Sequence, residues 1–423
     1  MDSLSEKKHS LGTEPTDLFS RLAGRRGSVW LDSSLTRCEW GRCSLLATNP
    51  VDDLVLGEDR TAFFSELDDI LHDQHKVAIG FIGYEATLPF VGLNSSHKMS
   101  DVPPAQFLVY DQVLRYDHTT GKFDNPALAE KLLEIDDSQA ARTASVPTTA
   151  TDFRPAVSRA AYLEAVEKIK WHIHEGDIYQ ANFTCRFDVN SEEGPFEVYE
   201  RLRALNPCPY GAFMNFGDYQ VLSSSPERMF RLDHDRITST PIKGTIERGK
   251  SAGEEKRNLE RLLNSEKDRA ELLMIVDLVR NDLGKIAQTG SVTVDSLFRA
   301  NIYSSLIHLM ADISAKVKPQ TTLTDILEAL LPGGSITGAP KRRAVEIIDS
   351  LETGPRSVYT GCIGHLGNGR ADFNIAIRTI VHQQGTYHIH AGGGIVADSD
   401  PAMEYDEMQL KALNLFRAVG VQI

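Results

Sequence analysis

Ile178-Tyr-Gln-Ala-Asn-Phe-Thr-Cys-Arg-Phe-Asp-Val189 constrains the fold more than any other stretch of this chain. Tyr179, Ala181, Phe183, Cys185, Phe187 and Val189 alternate with Gln180, Asn182, Thr184 and Arg186. A period of two puts the apolar set on one face of a strand, whereas a helix would scatter it around its circumference. The polar set then forms either an ordinary solvated face or one wall of a cleft. Further β-rich runs, Ser28-Val-Trp-Leu31, Lys76–Tyr84 and Ala105–Asp111, alternate with turns and one helical pattern near Thr61–His72. Short strands mixed with helices in this way read as an α+β fold, and no internal repeat argues for a solenoid or propeller.

Composition narrows the function classes. The chain has 423 residues, 41% hydrophobic and 25% charged, enough to bury a large core. A net charge of −14 argues against a nucleic acid or an anionic membrane surface as partner. An anionic substrate would therefore need local cations or a bound metal. The 5 cysteines are odd in number and lack C-x-x-C spacing, which fits a reducing compartment without structural zinc. Residues 1–15 read as a polar tail without a targeting pattern, and no apolar run is long enough to span a bilayer. The expectation is a cytoplasmic protein.

The chain divides into residues 1–134, a Ser/Thr/Ala/Asp/Pro-rich linker at 135–157, and residues 158–423. A helix is expected from Ser158 to His174, with Leu163, Val166, Ile169 and Ile173 inward and Gly176 closing it. The helix Lys267–Ile286 reads as apolar nearly all round, with Glu271 on the face of Met274, Ile275 and Leu278. A carboxylate so placed needs a proton, a partner or a cation. Strand-like Ser291–Leu297 is followed by Tyr303–Ile313, which reads as an apolar helix carrying His308 in its core. In the last helix, Ala402–Val419, Tyr405, Met408, Ala412, Leu415 and Val419 form the core stripe, and Glu404, Glu407 and Lys411 a neighbouring one.

The chemistry-bearing stretches lie between these elements. Thr240-Pro-Ile-Lys-Gly-Thr-Ile-Glu-Arg-Gly249 sets Lys243 between a proline and two glycines, as a solvated loop charge or a desolvated nucleophile. Gly244–Ser251 also matches the phosphate-loop pattern G-x-x-x-x-G-K-S, with Leu272–Asp277 as a formal acidic strand. No buried strand precedes that match and Gly253 weakens the helix after it, so a nucleotide-hydrolysing fold is the remote alternative. Ser223–Arg228 is a rigid turn holding Glu227. Leu331-Pro-Gly-Gly-Ser-Ile-Thr-Gly-Ala-Pro-Lys341 runs into a helix, where amides and Lys341 suit an anion. Arg378 could grip a carboxylate bidentately if it faces a cavity.

Taken together, G-D-I-Y-Q-A-N-F-T, S-S-P-E-R, P-I-K-G-T, E-L-L-M-I-V-D-L-V-R-N-D-L-G, P-G-G-S-I-T-G-A-P-K, F-N-I-A-I-R-T and G-G-G-I-V-A-D-S-D-P-x-x-E-x-x-E, in this order over roughly residues 158–418, resemble the chorismate-utilising enzymes. The large subunits of anthranilate synthase and aminodeoxychorismate synthase are the members most similar. That resemblance implies one large α+β unit of two packed antiparallel sheets surrounded by helices, with residues 1–134 sharing the core. It implies Mg²⁺-dependent displacement of the C4 hydroxyl of chorismate. Glu271, Glu404 and Glu407 would hold the metal, Glu227 would be the general acid, and Gln180, Gly244, Thr245, His308, Tyr359, Arg378, Gly392, Gly393, Gly394 and Lys411 would bind substrate. Relatives that add water carry a lysine base where this chain has Gln180, which points to a nitrogen nucleophile. Anthranilate synthases carry alanine at the centre of P-I-x-G-T, so Lys243 points to 4-amino-4-deoxychorismate through an adduct at C2. Anthranilate synthase remains the alternative. The nearest counterpart of the family's tryptophan-binding L-L-E-S is Trp30-Leu-Asp-Ser33, a departure. No glutaminase domain is present, so ammonia is expected from a separate glutamine amidotransferase.

Overall fold

Alternating burial along the strands explains the architecture. In Ser28–Asp32, Trp30 points into one core and Val29 into another; in Val77–Ile82, Ala78 and Ile82 point one way, Ile79 and Phe81 the other. Each sheet therefore buries both faces, one against helices and one against the opposite sheet. The computed structural model describes residues 14–35, 41–134, 152–303 and 306–421. The expected tail lies outside these as far as residue 13, and the expected linker as far as residue 151. Asp152–Pro155, at the end of that linker, is a strand paired with Gln180–Asn190.

Both sheets are antiparallel. The larger has 11 strands, running from Gly338–Ala339 through Gln180–Asn190, Thr386–Ile395, Thr379–Gln383, Tyr219–Ser225, Tyr210–Asn215, Ser28–Asp32, Cys43–Ala47 and Leu114–Asp117 to Lys122–Phe123. The other has 10, from Ile242–Glu247 through Leu306–Lys316, Arg236–Thr240, Arg228–Asp233, Arg370–Ile375, Cys362–Gly367, Val77–Ile82 and Ala105–Tyr110 to Asp52–Val55, with Thr293–Ile302 also on Leu306–Lys316. Strands from the first third of the chain thus sit inside both sheets. Val29, Ala47, Phe81, Leu108, Met214, Val221 and Ile363 fill the space between them. Helices Arg159–His174, Pro195–Leu205, Lys341–Leu351 and Pro401–Ala418 cover the larger sheet; Arg60–His72, Glu266–Ile286 and Leu323–Leu330 cover the smaller. None of the described helices is long and apolar enough to cross a membrane.

Local signals placed most of these elements. The Ser158 side chain accepts from the Ala161 amide and Asp400 from those of Ala402 and Met403, each satisfying amides that the first turn leaves open. Three readings are corrected. Leu306–Lys316 is a strand, not a helix: Ile307, Leu309, Ala311, Ile313 and Ala315 face one core, but Met310 and His308 are buried on the other face, which hides the period of two. Helix Glu266–Ile286 is one-sided, burying Leu272, Ile275, Val276, Leu283 and Ile286 while Leu273 is 42% exposed. On Gln180–Asn190 the polar side chains Gln180, Asn182 and Thr184 are buried, whereas Tyr179 at its edge is 71% exposed. The glycine-rich segment Gly333–Ala339 pairs along this edge of the sheet, the Tyr179 amide donating to the Ala339 carbonyl and the Asn182 amide to that of Thr337, while helix Lys341–Leu351 packs on the apolar face.

Trp30 is fully buried, edge-on to Tyr199 at 5.9 Å and tilted on Phe19 at 5.4 Å. Trp30→Ala should cost about 3–5 kcal/mol, as large-to-small changes in packed cores do. Urea unfolding should show the midpoint shift with the slope unchanged.

Candidate active site

Two of the corners at which the chain crosses between the sheets each carry a charged candidate. Ser225 ends a strand of the larger sheet and Arg228 begins one of the smaller, with Pro226 and Glu227 between. Ile375 ends a strand of the smaller sheet and Thr379 begins one of the larger, with Arg378 between, at φ 51°. The corners bind each other. The Ile375 amide donates to the Glu227 carbonyl at 3.0 Å, the Ser225 hydroxyl to the Ile375 carbonyl at 2.6 Å, and the Ser224 amide to the Arg378 carbonyl at 3.1 Å. Arg228, buried beneath Glu227, holds Asp372 through two hydrogen bonds of 2.9 Å.

Glu227 is 7% exposed, and its Oε1 accepts weakly from the Ile242 amide at 3.4 Å and its carboxyl from Ser335. Burial pushes its carboxyl up to about 7, against the pull of the Lys243 ammonium. Lys243 lies on the edge strand Ile242–Glu247, opposite Leu309. A register shift follows at Gly244, which has φ 73° and where a Cβ would stand 3.0 Å from the Asp268 side chain of helix Glu266–Ile286. Lys243 is partly buried. Burial lowers its pKa, and Glu227, Glu271 and Glu407 oppose that shift while Lys411 adds to it. Four candidate residues from two helices and a corner therefore act electrostatically on this amine.

Thr245 and His308 are cross-strand partners, with Thr245 Oγ1 2.8 Å from His308 Nδ1. Burial and the nearby Arg378 charge take the His308 pKa down to about 4, so the ring is neutral at ordinary pH. Arg378 Nη1 donates to Asn206 Oδ1 at 2.9 Å, and among the described residues no carboxylate pairs with it. A buried guanidinium with donors to spare suits an anionic ligand. Tyr359 is buried and stacked on His390 at 5.3 Å.

The Gly392–Gly394 run lies in Thr386–Ile395, paired with Gln180–Asn190. A Cβ on Gly394 would come within 2.6 Å of Gln180 Nε2, a buried donor without a partner. Gly393 opens onto Lys411 Nζ and Glu404 Oε2, at 3.3 and 3.4 Å from where its Cβ would stand. Lys411 donates to the Gly392 carbonyl at 3.2 Å and pairs with Glu407 at 2.8 Å. Glu404 accepts from Ser399 at 2.6 Å; burial and then the neighbouring Glu407 charge raise its pKa over that hydrogen bond. For Glu407, Lys411, Lys267 and Lys243 outweigh burial, and its pKa falls. Glu271 stands 4.0 Å from Lys267.

The carboxylates of Glu271, Glu404 and Glu407 offer the hard oxygen donors that Mg²⁺ takes, and the raised Glu404 carboxyl beside Glu407 is the charge crowding that a divalent cation relieves. Their donor chemistry fits; among the described residues no three such groups are yet gathered closely enough to hold a metal.

Two expectations fail here. Lys341 is not free for an anion, because its amine binds Asp282 at 2.9 Å and neutralises a carboxylate buried in helix Glu266–Ile286. The phosphate-loop match is also false: Gly244 lies in a strand, Ser251 caps a separate helix, and Asp277 is in mid-helix. Sequence reasoning gives Asn206, Ser335, Ser399 and His390 no role in the site; Ser335 lies inside the second glycine-rich loop, and His390 and Ser399 flank the Gly392–Gly394 run. A cavity of about 840 Å³ lies elsewhere, lined by Asp32, Ser33, Arg115, Tyr210, Arg228 and Asp372 among others and by none of the candidates above. Within it the Trp30–Ser33 segment has its carboxylate engaged, by Arg203 at 2.6 Å and Tyr199 at 3.1 Å.

In sequence and in fold the chain is similar to known proteins. Residues 32–417 match the family described as chorismate binding enzyme. Anthranilate synthase component 1 of Pseudomonas putida is 33% identical, covering 96% of this chain and 93% of that protein. Aminodeoxychorismate synthase component 1 of Bacillus subtilis (strain 168) is 35% identical, covering 81% and 76%. The crystal structure of anthranilate synthase component I from Streptococcus pneumoniae TIGR4 superposes with a TM-score of 0.78 at 30% identity, covering 97% of this chain and 99% of that one.

Because the Lys243 charge holds the Glu227 carboxyl down, Lys243→Ala should raise its titration above the value near 7. Isotope-edited infrared titration of the Glu227 carboxyl would show this, and an unchanged midpoint would mean the two groups do not sense each other.

Proposed function

This chain belongs to the chorismate-binding enzyme family, and we propose that it converts chorismate and ammonia to 4-amino-4-deoxychorismate and water. The observation carrying this reading is Lys243, an amine that burial makes less basic, beside Glu227, a carboxyl that burial makes more basic. Such a pair can supply an uncharged nucleophile and a proton donor together near neutral pH.

The neutral Lys243 amine attacks C2 of the ring, both conjugated double bonds shift toward C4, and the C4–O bond breaks. Glu227 gives its proton to the departing hydroxyl, which leaves as water. Ammonia then attacks C4, both double bonds shift back, and the C2–N bond breaks to regenerate Lys243. The proton shed by the new ammonium at C4 goes back to Glu227. Two allylic displacements replace one hindered substitution. Arg378, Tyr359 and the Gly392–Gly394 segment are the proposed holders of the enolpyruvyl carboxylate, with Gly244 and Thr245 close by; His308, neutral beside Thr245, can orient that hydroxyl without adding charge. Gln180 Nε2 is an unused donor at the strand edge, and Lys411 ties the Gly392 carbonyl to Glu407. Glu271, Glu404 and Glu407 would hold Mg²⁺, which when bound supplies positive charge for the ring carboxylate.

Ammonia would come from a separate glutamine amidotransferase, a reading supported by relatives that are named as component 1. Anthranilate synthesis is the second reading, favoured by relatives that span nearly the whole chain. Product analysis with chorismate, Mg²⁺ and ammonium separates the two, since anthranilate is aromatic and its formation releases pyruvate. Aromatic product from the wild-type chain would sink the first reading.

Lys243→Ala should lower formation of 4-amino-4-deoxychorismate by about two or more orders of magnitude, the usual scale for losing a nucleophile. The rate should also depend on pH in both directions. It falls above about 7 as Glu227 loses its proton, and falls as the pH drops through the lowered pKa of Lys243 and the amine gains one. Glu227→Gln should abolish the alkaline limb, which a kcat/KM profile would reveal.

A further inference from the structure

Arg356 is the most completely engaged cation among the described residues that touches none of the proposed reacting groups. Its side chain is 1% exposed. A guanidinium has five N–H donors, and each has an acceptor here. Nε donates to Glu352 Oε2 at 2.9 Å and Nη2 to Glu352 Oε1 at 2.6 Å. Nη2 also reaches the Asn182 carbonyl at 2.6 Å, while Nη1 reaches the Ile336 carbonyl at 2.9 Å and Thr360 Oγ1 at 3.3 Å. The plane lies over the Tyr84 ring, 4.5 Å from its centroid. Its own backbone is fixed from the other side, where Glu85 accepts from the amides of Arg356 at 2.6 Å and Ser357 at 2.9 Å.

These acceptors belong to different parts of the site. Asn182 is the strand partner of Gly394 and lies two residues from Gln180. Ile336 follows Ser335, which bonds Glu227. Thr360 follows Tyr359 and has φ 61°, and the Tyr359 amide donates to the Arg356 carbonyl at 3.1 Å. Glu352, the counter-charge, also accepts from the Thr184 amide and hydroxyl at 2.9 and 2.8 Å. The larger sheet, the second glycine-rich loop and the Tyr359 turn thus share one anchor.

We propose that Arg356 is a positioning residue for chorismate turnover: its guanidinium, locked on Glu352, sets the spacing between the Asn182–Gly394 strand pair, the Ser335 loop that holds Glu227, and Tyr359, without itself touching substrate. The proposal rests on the reaction read above. Burying so complete a polar network beneath the site favours one arrangement of the three segments it joins. Lysine cannot replace it, since three tetrahedral donors on a flexible stem do not span five acceptors in one plane.

The test uses the full chain with Arg356→Lys and Glu352→Gln, each assayed with chorismate, Mg²⁺ and ammonium at a temperature where its far-ultraviolet circular dichroism matches the wild type. Arg356→Lys should lower kcat by about ten- to a hundredfold with the chorismate KM changed less than about threefold, the pattern of misplaced catalytic groups. Glu352→Gln, which keeps an acceptor for Thr184, should move kcat in the same direction by less. Amide exchange in the same variants should accelerate at Gly333–Ile336 and Tyr359–Gly361 but not in the core strand Tyr210–Asn215. Wild-type kcat in both folded variants, or exchange raised equally everywhere, would overturn the role. If Arg356→Lys does not fold, Glu352→Gln carries both readouts. If the wild-type chain leaves chorismate unchanged, the reaction reading fails, and the exchange comparison alone decides the role of Arg356.

Discussion

The hydrogen bonds between the two inter-sheet corners support everything else around the site. A chain that leaves one sheet for another strips its backbone groups of ladder partners while they are still buried, which is costly unless they find others. Here each corner satisfies the other: Glu227 carbonyl to Ile375 amide, Ser225 hydroxyl to Ile375 carbonyl, Arg378 carbonyl to Ser224 amide. The consequence is chemical as well as structural. Glu227 and Arg378 are held on a doubly anchored seam, so a buried carboxyl and a buried guanidinium keep fixed positions without pairing with each other. The φ of 51° at Arg378 is tolerated because its flanking groups are pinned in this way.

Electrostatics then decides what that seam can do. The protein carries a net charge of −14, yet the site sets Lys243 and Lys411 within reach of each other's fields and Arg378 near His308. Desolvation works in opposite directions on Lys243 and Glu227, drawing the amine down and the carboxyl up. His308 is kept neutral by burial and by Arg378, so it adds no competing positive charge. Glu404, Glu407 and Glu271 line the opposite side from two helices that the strands could not have supplied.

Much of this was legible in the residues. The period of two in Gln180–Asn190, the Ser158 and Asp400 caps, and the Glu404/Glu407/Lys411 stripe follow from local rules, and those elements stand where the rules put them. The ordered set of motifs carried the resemblance, and with it the two-sheet fold. What local pattern could not show was the sidedness of residues buried twice. Leu306–Lys316 hides its period because both faces are covered, and Gln180 and Asn182 look like a solvated edge until the Gly333–Ala339 segment is laid against them.

By itself, then, the sequence determined the alternation, the caps, the glycine positions and the inventory of acids and bases, because each depends on neighbours a few residues away. Only the tertiary structure decided which of those groups meet. Lys341 looked as available as Lys243, but Asp282 claims it across helix Glu266–Ile286, while Lys243 is left with a desolvated carboxyl beside it. Arg356 stood beside Glu352 and Thr360, each four residues away, but its remaining partners Asn182 and Ile336 become neighbours only in the assembled fold. The physical reason is the same in both cases: a charge acquires its role from the water it loses and the partners it gains, and both are set by segments distant in sequence.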